Sequence, residues 1–382
     1  MPSSRLLSLS WVALAFVACS SREQPSAPRD DRPMEAEESA PRAPRDEVAT
    51  SPADQDGGAQ TSAAHGAALY ARMCAVCHGD RGQGYVADEA TALAHPDFLA
   101  SVSDAYLRFA IRVGRTGTKM SAWHADRGGP LSDADVDALV AHLRSWQTQP
   151  ALALDESPVR GDPKRGKAHF ERSCASCHGR EARQVRILNR QLLLHATPGF
   201  LRQAILHGRA GTPMPAFEAS LGARGVEDVV AYLTSLPAWL APGEQVATAS
   251  PPMIPLGPVP LHPKGREPKR FQAFPKMTSV DVVGPALKGG ARMAILDARP
   301  PPDYVEGHIA GAVSVPFYDP APYLAQLPKN TWLVCYCGCP HAESGALARK
   351  LTEAGFTKVT VLDEGLGVWQ QKGHPMRSGL EP

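Results

Sequence analysis

One pattern occurs twice in this chain, and nothing else constrains the fold as tightly. Gly66-Ala-Ala-Leu-Tyr70-Ala-Arg-Met-Cys74-Ala-Val-Cys77-His78-Gly79 returns as Gly166-Lys-Ala-His-Phe170-Glu-Arg-Ser-Cys174-Ala-Ser-Cys177-His178-Gly179. Downstream, Gly114-Arg-Thr-Gly-Thr-Lys-Met120 is answered by Gly208-Arg-Ala-Gly-Thr-Pro-Met214. Each copy then closes on an apolar stripe, Val136, Leu139, Val140 and Leu143 in one and Val226, Val229, Val230 and Leu233 in the other, at helical spacing. Ser132 before an acidic turn marks the start of the former helix. The spacing predicts two copies of one small helical domain.

Cys-x-x-Cys-His is the attachment signature of c-type haem. Thiols at i and i+3 share a helix face and can bond the two vinyl groups, while the next histidine reaches the iron. The expected cofactors are two covalent haems c, held by Cys74 and Cys77 with His78, and by Cys174 and Cys177 with His178. A zinc site or a thioredoxin-like redox pair are the rival readings; they need further ligands or a βαβ setting. Counting methionines finds the second axial ligand. The second copy has Met214 alone, and the first has Met120 besides Met73, which sits beside a bonded cysteine and cannot swing across the ring. Met120 and Met214 are the expected distal ligands, with His95, His124 and His195 as the alternatives. His142, which aligns with Tyr232, reads as a packing or surface residue, and Tyr70 and Phe170 as packing on the terminal helices.

Taken together these residues resemble the class I cytochrome c family, twice over, across residues 61–148 and 160–240. The resemblance implies two all-α domains in tandem that relay electrons one at a time between redox-protein partners.

From Met293 the pattern changes to strands, Met293–Leu296, Trp332–Val334 and Val359–Leu362, with Ala346–Leu351 helical between them, which argues for an α/β sheet. Asp297-Ala-Arg299, Tyr304-Val-Glu-Gly307-His308-Ile309-Ala-Gly311-Ala312, Gly355-Phe356 and Leu362-Asp-Glu-Gly365 to Trp369 resemble a rhodanese domain over residues 286–378. The chain is therefore expected to be multidomain, all-α then α/β. In that family a cysteine after the central strand carries a persulfide in a loop of backbone N–H groups, and Cys337 best occupies that place. The loop departs from the family pattern: it is one residue longer, has Glu343 where an Arg is usual, and adds Cys339 and His341 as accessory candidates. A redox or metal role for Cys337 with Cys339, or a binding fold without catalysis, stay open. Cys335 reads as a small hydrophobe facing the sheet, and Asp297 and Arg299 as structural hydrogen bonders.

The N-terminus is processing rather than fold. Leu6–Ala18 is an apolar run after Arg5, too short to span a bilayer, ending in Phe16-Val17-Ala18-Cys19. It resembles a bacterial lipoprotein signal (1–18), with Cys19 lipidated, export to the periplasm and an outer-membrane address in a Gram-negative cell. Residues 19–60 lack large apolar groups and read as a disordered tether, and 241–285, rich in proline, as a semi-rigid linker. Lys and Arg total 40 against 39 Asp and Glu, which gives no case for nucleic acid as a partner. Membrane attachment is expected through the lipid alone. Three functions follow: an electron carrier between periplasmic redox proteins whose last domain receives a sulfur compound such as thiosulfate or a persulfide; a self-contained sulfur-oxidising enzyme; or a carrier with a docking module.

Overall fold

The glycine that opens each repeat marks a helix crossing. The computed structural model describes residues 52–87, 90–115, 118–179, 187–236, 253–256, 259, 262–338 and 341–382. The apolar run, Cys19 and Cys339 lie outside these described residues. The first unit comprises α1 (Pro52–Met73), α2 (Ala75–His78), α3 (Pro96–Ser101), α4 (Asp104–Val113) and α5 (Asp133–Ser145). The second repeats it as α6 (Pro163–Ser173), α7 (Ala175–His178), α8 (Arg190–His195), α9 (Pro198–His207) and α10 (Glu218–Ser235). A Cβ on Gly66 would lie 1.9 Å from the Ala138 carbonyl oxygen, and one on Gly166 would lie 1.8 Å from that of Asp228. α1 on α5, and α6 on α10, therefore touch backbone to backbone, an approach only glycine permits.

The expected stripes line these crossings, Val136, Leu139, Val140 and Leu143 in α5 and Val226, Val229, Val230 and Leu233 in α10 all being buried. Tyr70 packs edge-on against Trp146 and beside His142, and Phe170 packs on Tyr232. Ser132 caps α5 through a reciprocal pair with Asp135. α1 begins inside the segment expected as tether. Pro52 at its first position donates no hydrogen bond there, and the alanines and glutamines after it favour helix without needing apolar bulk.

The two units are fastened together. The connecting segment runs extended: the Leu152 amide donates to Ala100, Arg202 donates to the carbonyls of Asp155 and Ser157, and Glu156 accepts from Thr197 and Gly199. The Arg209 guanidinium lies over the rings of Phe98 and Phe200 at 5.0 and 5.7 Å.

The last unit contains β1 (Met277–Thr278), α11 (Val280–Lys288), β2 (Met293–Asp297), α12 (Pro301–Glu306), β3 (His308–Ile309), β4 (Ala312–Ser314), β5 (Trp332–Tyr336), α13 (Ala342–Glu353), β6 (Val359–Leu362), α14 (Gly365–Gln371) and β7 (Met376–Arg377). Five strands form a parallel sheet in the order β1-β6-β5-β2-β4. Its strands alternate between two buried clusters, Ala294, Leu296, Leu333 and Cys335 on one face and Met293, Ile295, Val334 and Tyr336 on the other. β1 and most of α11 fall in the segment expected as linker. Two residues of strand are too short to register as a pattern, and the prolines around them outweighed the apolar Val280 and Val283, which the sheet buries completely.

Residues 50–382 form one compact unit, and among the described residues no helix is long and apolar enough to cross a membrane.

Candidate functional site

In both helical units the motif is a single helical turn hung on the end of a longer helix. His78 and Cys77 amides donate to the Cys74 carbonyl at 2.9 and 3.2 Å, and His178 and Cys177 to Cys174 at 2.8 and 3.1 Å. That turn brings both sulfurs and the following imidazole to one side. The His78 Nδ1 lies 2.8 Å from the Thr91 carbonyl, so the expected iron contact would fall to Nε2. Burial pushes His78 down to about 4, which favours the neutral ring that the expected iron ligation would require. Burial also raises the thiols, Cys74 to about 12 and Cys174 to about 11. Reactive redox pairs have depressed thiols instead. Among the described residues no group of three or more His, Cys, Asp or Glu could hold a metal ion.

The methionine loops match hydrogen bond for hydrogen bond. The Arg115 amide donates to Met120 and that of Arg209 to Met214, at 2.8 and 2.9 Å, while Thr118 and Thr212 each clamp the same turn. Gly114 and Gly208 enter the loops at φ of 63° and 62°, and a Cβ at either would meet backbone at 2.4 Å.

In the second unit the four sequence-predicted groups meet. Cys174, Cys177, His178 and Met214 line one cavity of about 230 Å³, walled by Phe170, Ile187, Ile205 and Phe217 among others. An apolar cavity with two thiols, an imidazole and a thioether on its wall fits a haem. In the first unit Cys74 and Met120 are partly buried against the apolar core, which runs on through the other two domains. The rival histidines have other work: His95 and His124 accept from the amides two residues on at helix starts, and His195 stacks on Phe109 with ring centres 3.4 Å apart. Tyr85, from the first unit, reaches the wall of the second unit's cavity; nothing in the local sequence marks it.

The third site follows β5. Cys337 is fully buried and its Sγ lies 3.2 Å from the Ser344 hydroxyl at the start of α13. Glu343 is buried beside it. Burial, with Cys337 and Asp303 nearby, pushes its carboxyl well above the usual range, which favours the protonated form. His341 Nε2 lies 3.3 Å from Asp363. Its φ of 72° is a left-handed conformation at the entry to α13. Arg299 grips Asp297 and the Gly307 carbonyl, both at 2.6 Å, and the Tyr336 hydroxyl donates to the same aspartate, so this cluster is structural, as expected. Cys335 faces the core with no exposure.

Residues 61–143 and 161–233 match the family described as cytochrome C oxidase, cbb3-type, subunit III, and residues 285–372 match the rhodanese-like domain family. The chain carries two cytochrome c-type domains followed by a rhodanese-like domain. Cytochrome c-type domains bind haem c covalently and transfer electrons. An HTH-type transcriptional regulator of Mycobacterium tuberculosis is 30% identical over 87 residues, 23% of this chain and 38% of the regulator, so the match spans well under two thirds of that relative. Among solved structures, a rhodanese-like domain from Anabaena sp. is 29% identical over 27% of this chain and 80% of its own, with a TM-score of 0.26. A second, the Rhodanese_3 like domain of the same Anabaena protein, is 32% identical over 23% and 93%, with a TM-score of 0.22. A reducing HAO-like protein complex from Kuenenia stuttgartiensis is 18% identical over 45% and 95%, with a TM-score of 0.32.

Proposed function

We propose that this protein is an exported electron carrier with two covalent haems c, whose rhodanese-like domain accepts sulfane sulfur on Cys337. The observation that carries the electron-transfer reading is the cavity where Cys174, Cys177, His178 and Met214 converge. Haem c held there supplies a reversible one-electron couple. The chain's own part would be to hold the group: Cys174 and Cys177 would bond it, and His178 and Met214 would supply the imidazole and thioether to its iron from the wall of an apolar cavity. His78 and Met120 have the same roles in the first domain, and Cys19 is the lipid anchor. Haemochrome titration of the purified holoprotein tests the count. Two haems per chain, falling to one in Cys174→Ala/Cys177→Ala, is the expected result, and one haem in the parent protein refutes it.

At Cys337 the reading is sulfur acceptance. The thiolate attacks the outer sulfur of thiosulfate; the new S–S bond leaves a Cys337 persulfide, the S–S bond of thiosulfate breaks, and sulfite departs with the electron pair. The Ser344 hydroxyl, 3.2 Å from Sγ, is placed to donate to the thiolate. A second reading, oxidation of that sulfur through the protein's own haems, is supported by direct packing of the first cytochrome c-type domain on the rhodanese-like domain. Ser121 in the Met120 loop donates to Asp303 at 2.5 Å, and Trp123 meets Tyr318 with ring centres 5.6 Å apart. Mixing oxidised holoprotein with thiosulfate, beside Cys337→Ser, separates the two: Cys337-dependent haem reduction supports the oxidase, and persulfide without reduction supports the carrier.

A further inference from the structure

The loop that carries Met120 lies across the loop that carries Cys337. Gly338, directly after that cysteine, is covered by Lys119, directly before that methionine. A Cβ on Gly338 would stand 3.4 Å from Lys119 Cδ and 3.5 Å from its Nζ. The contact is anchored on both sides, by Ser121 on Asp303 and Trp123 on Tyr318, and α2 of the haem motif packs on α13. The loop that carries the lysine is therefore held against the rhodanese-like domain by contacts from both domains.

The charges around Cys337 give that position a use. Thiosulfate is a dianion, and drawing it onto a thiolate needs a cation. Glu343, buried beside the sulfur, brings no cation to the loop, and its burial, with Cys337 and Asp303 nearby, favours the uncharged carboxyl. Arg299 also borders Gly338, its Cδ 3.6 Å from the same Cβ position, but its guanidinium is consumed by Asp297 and the Gly307 carbonyl. Lys119 is exposed, and among the described residues no carboxylate pairs with it.

We propose that Lys119, supplied by the first cytochrome c-type domain, is the cation that draws a sulfur dianion of the thiosulfate class to the Cys337 loop, making the sulfur site a composite of two domains. The proposal rests on Cys337 as the sulfur acceptor. Lys119 is a positioning residue for the anion, while Cys337 alone exchanges bonds with it. A neutral reagent of the same shape has no use for the lysine.

The test uses holoprotein and two reagents. Persulfide on the Cys337 peptide is followed by mass spectrometry against thiosulfate concentration, and labelling of the same peptide by the uncharged methyl methanethiosulfonate is followed in parallel. Lys119→Gln is expected to raise the half-saturating thiosulfate concentration about tenfold, the worth of one charge-assisted contact, with the maximal rate and the neutral labelling unchanged. Lys119→Arg restores the parent value, and added salt narrows the gap. Unchanged thiosulfate dependence in Lys119→Gln overturns the proposal, and so does an equal change with both reagents, which marks a packing role. If the parent protein labels with the neutral reagent yet takes no sulfur from thiosulfate, Cys337 is not a thiosulfate acceptor and the reading beneath the proposal falls with it.

Discussion

Gly166→Ala tests the repeat's geometry most directly. The added Cβ falls 1.8 Å from the Asp228 carbonyl oxygen and 2.5 Å from its carbon, with the Tyr232 Cβ at 2.9 Å. The obstacle is the backbone of α10, which has no rotamer to turn aside, so α6 and α10 must part by more than an ångström along a seam holding Phe170, Val229 and Val230. Overpacking of this kind costs about 3 kcal/mol, the upper end of the usual range, because separating the helices also thins their other contacts. For a domain of this size that lowers the melting temperature on the order of 15 °C. Gly211→Ala supplies the control. Gly211 has a φ of 75° with nothing within 4 Å of its Cβ position, so it suffers the left-handed backbone cost alone, about 1 kcal/mol. Thermal melts followed by far-UV circular dichroism and by haem absorbance read both variants. If Gly166→Ala melts within about 3 °C of the parent, or no lower than Gly211→Ala, the close helix crossing is not what the opening glycine provides.

Four further outcomes are expected. Asp228, which accepts from Arg165 at 2.7 and 2.9 Å, is held below the usual carboxylate range chiefly by that hydrogen bond. Its contribution is therefore present above about pH 4 and lost as pH falls through its lower folded value; Asp228→Asn should lose about 1–2 kcal/mol at pH 7 and show a flatter acid limb in a melt series from pH 7 to 3. Glu343 behaves oppositely. The fold holds its proton while the unfolded chain releases it above about pH 4, so stability declines as pH rises, and Glu343→Gln should gain about 1 kcal/mol or more at pH 7 with no gain at pH 4, read by urea titration at both values. Gly345, inside α13 with nothing within 4 Å of its Cβ position, should accept Ala with a gain of about 0.5–1 kcal/mol in the same titration. Met214→Leu should remove the methionine-to-iron charge-transfer band of one haem and lower one of two reduction potentials in a spectroelectrochemical titration; two unaltered potentials would show that Met214 only packs.

Much of this molecule is local, and what is local was legible. Cys74-x-x-Cys77-His78 is a turn of helix wherever it occurs, and the stripes of α5 and α10 declare one buried face each. The strands β2, β5 and β6 were visible as apolar runs because a parallel sheet covered on both faces has no polar side. The boundaries were weaker. α1 reaches back to Pro52 and β1 stands at Met277, both inside segments whose proline and small-residue content reads as linker.

The repeat determined, by itself, that two like domains exist and that their Cys-x-x-Cys-His turns and methionine loops correspond, because both are set by covalent spacing and helical period. Gly66 and Gly166 were visible as repeated glycines, but their reason, a carbonyl of a helix some sixty to seventy residues on, is a distance and not a pattern. Tyr85 at the second domain's cavity and Lys119 over Gly338 belong wholly to the tertiary structure. The latter contact joins residues more than two hundred positions apart, on loops whose own periodicity says nothing of what will face them. Only the packing of whole domains, through α2 on α13 and Ser121 on Asp303, brings a cytochrome-domain lysine over Gly338 of the rhodanese-like domain.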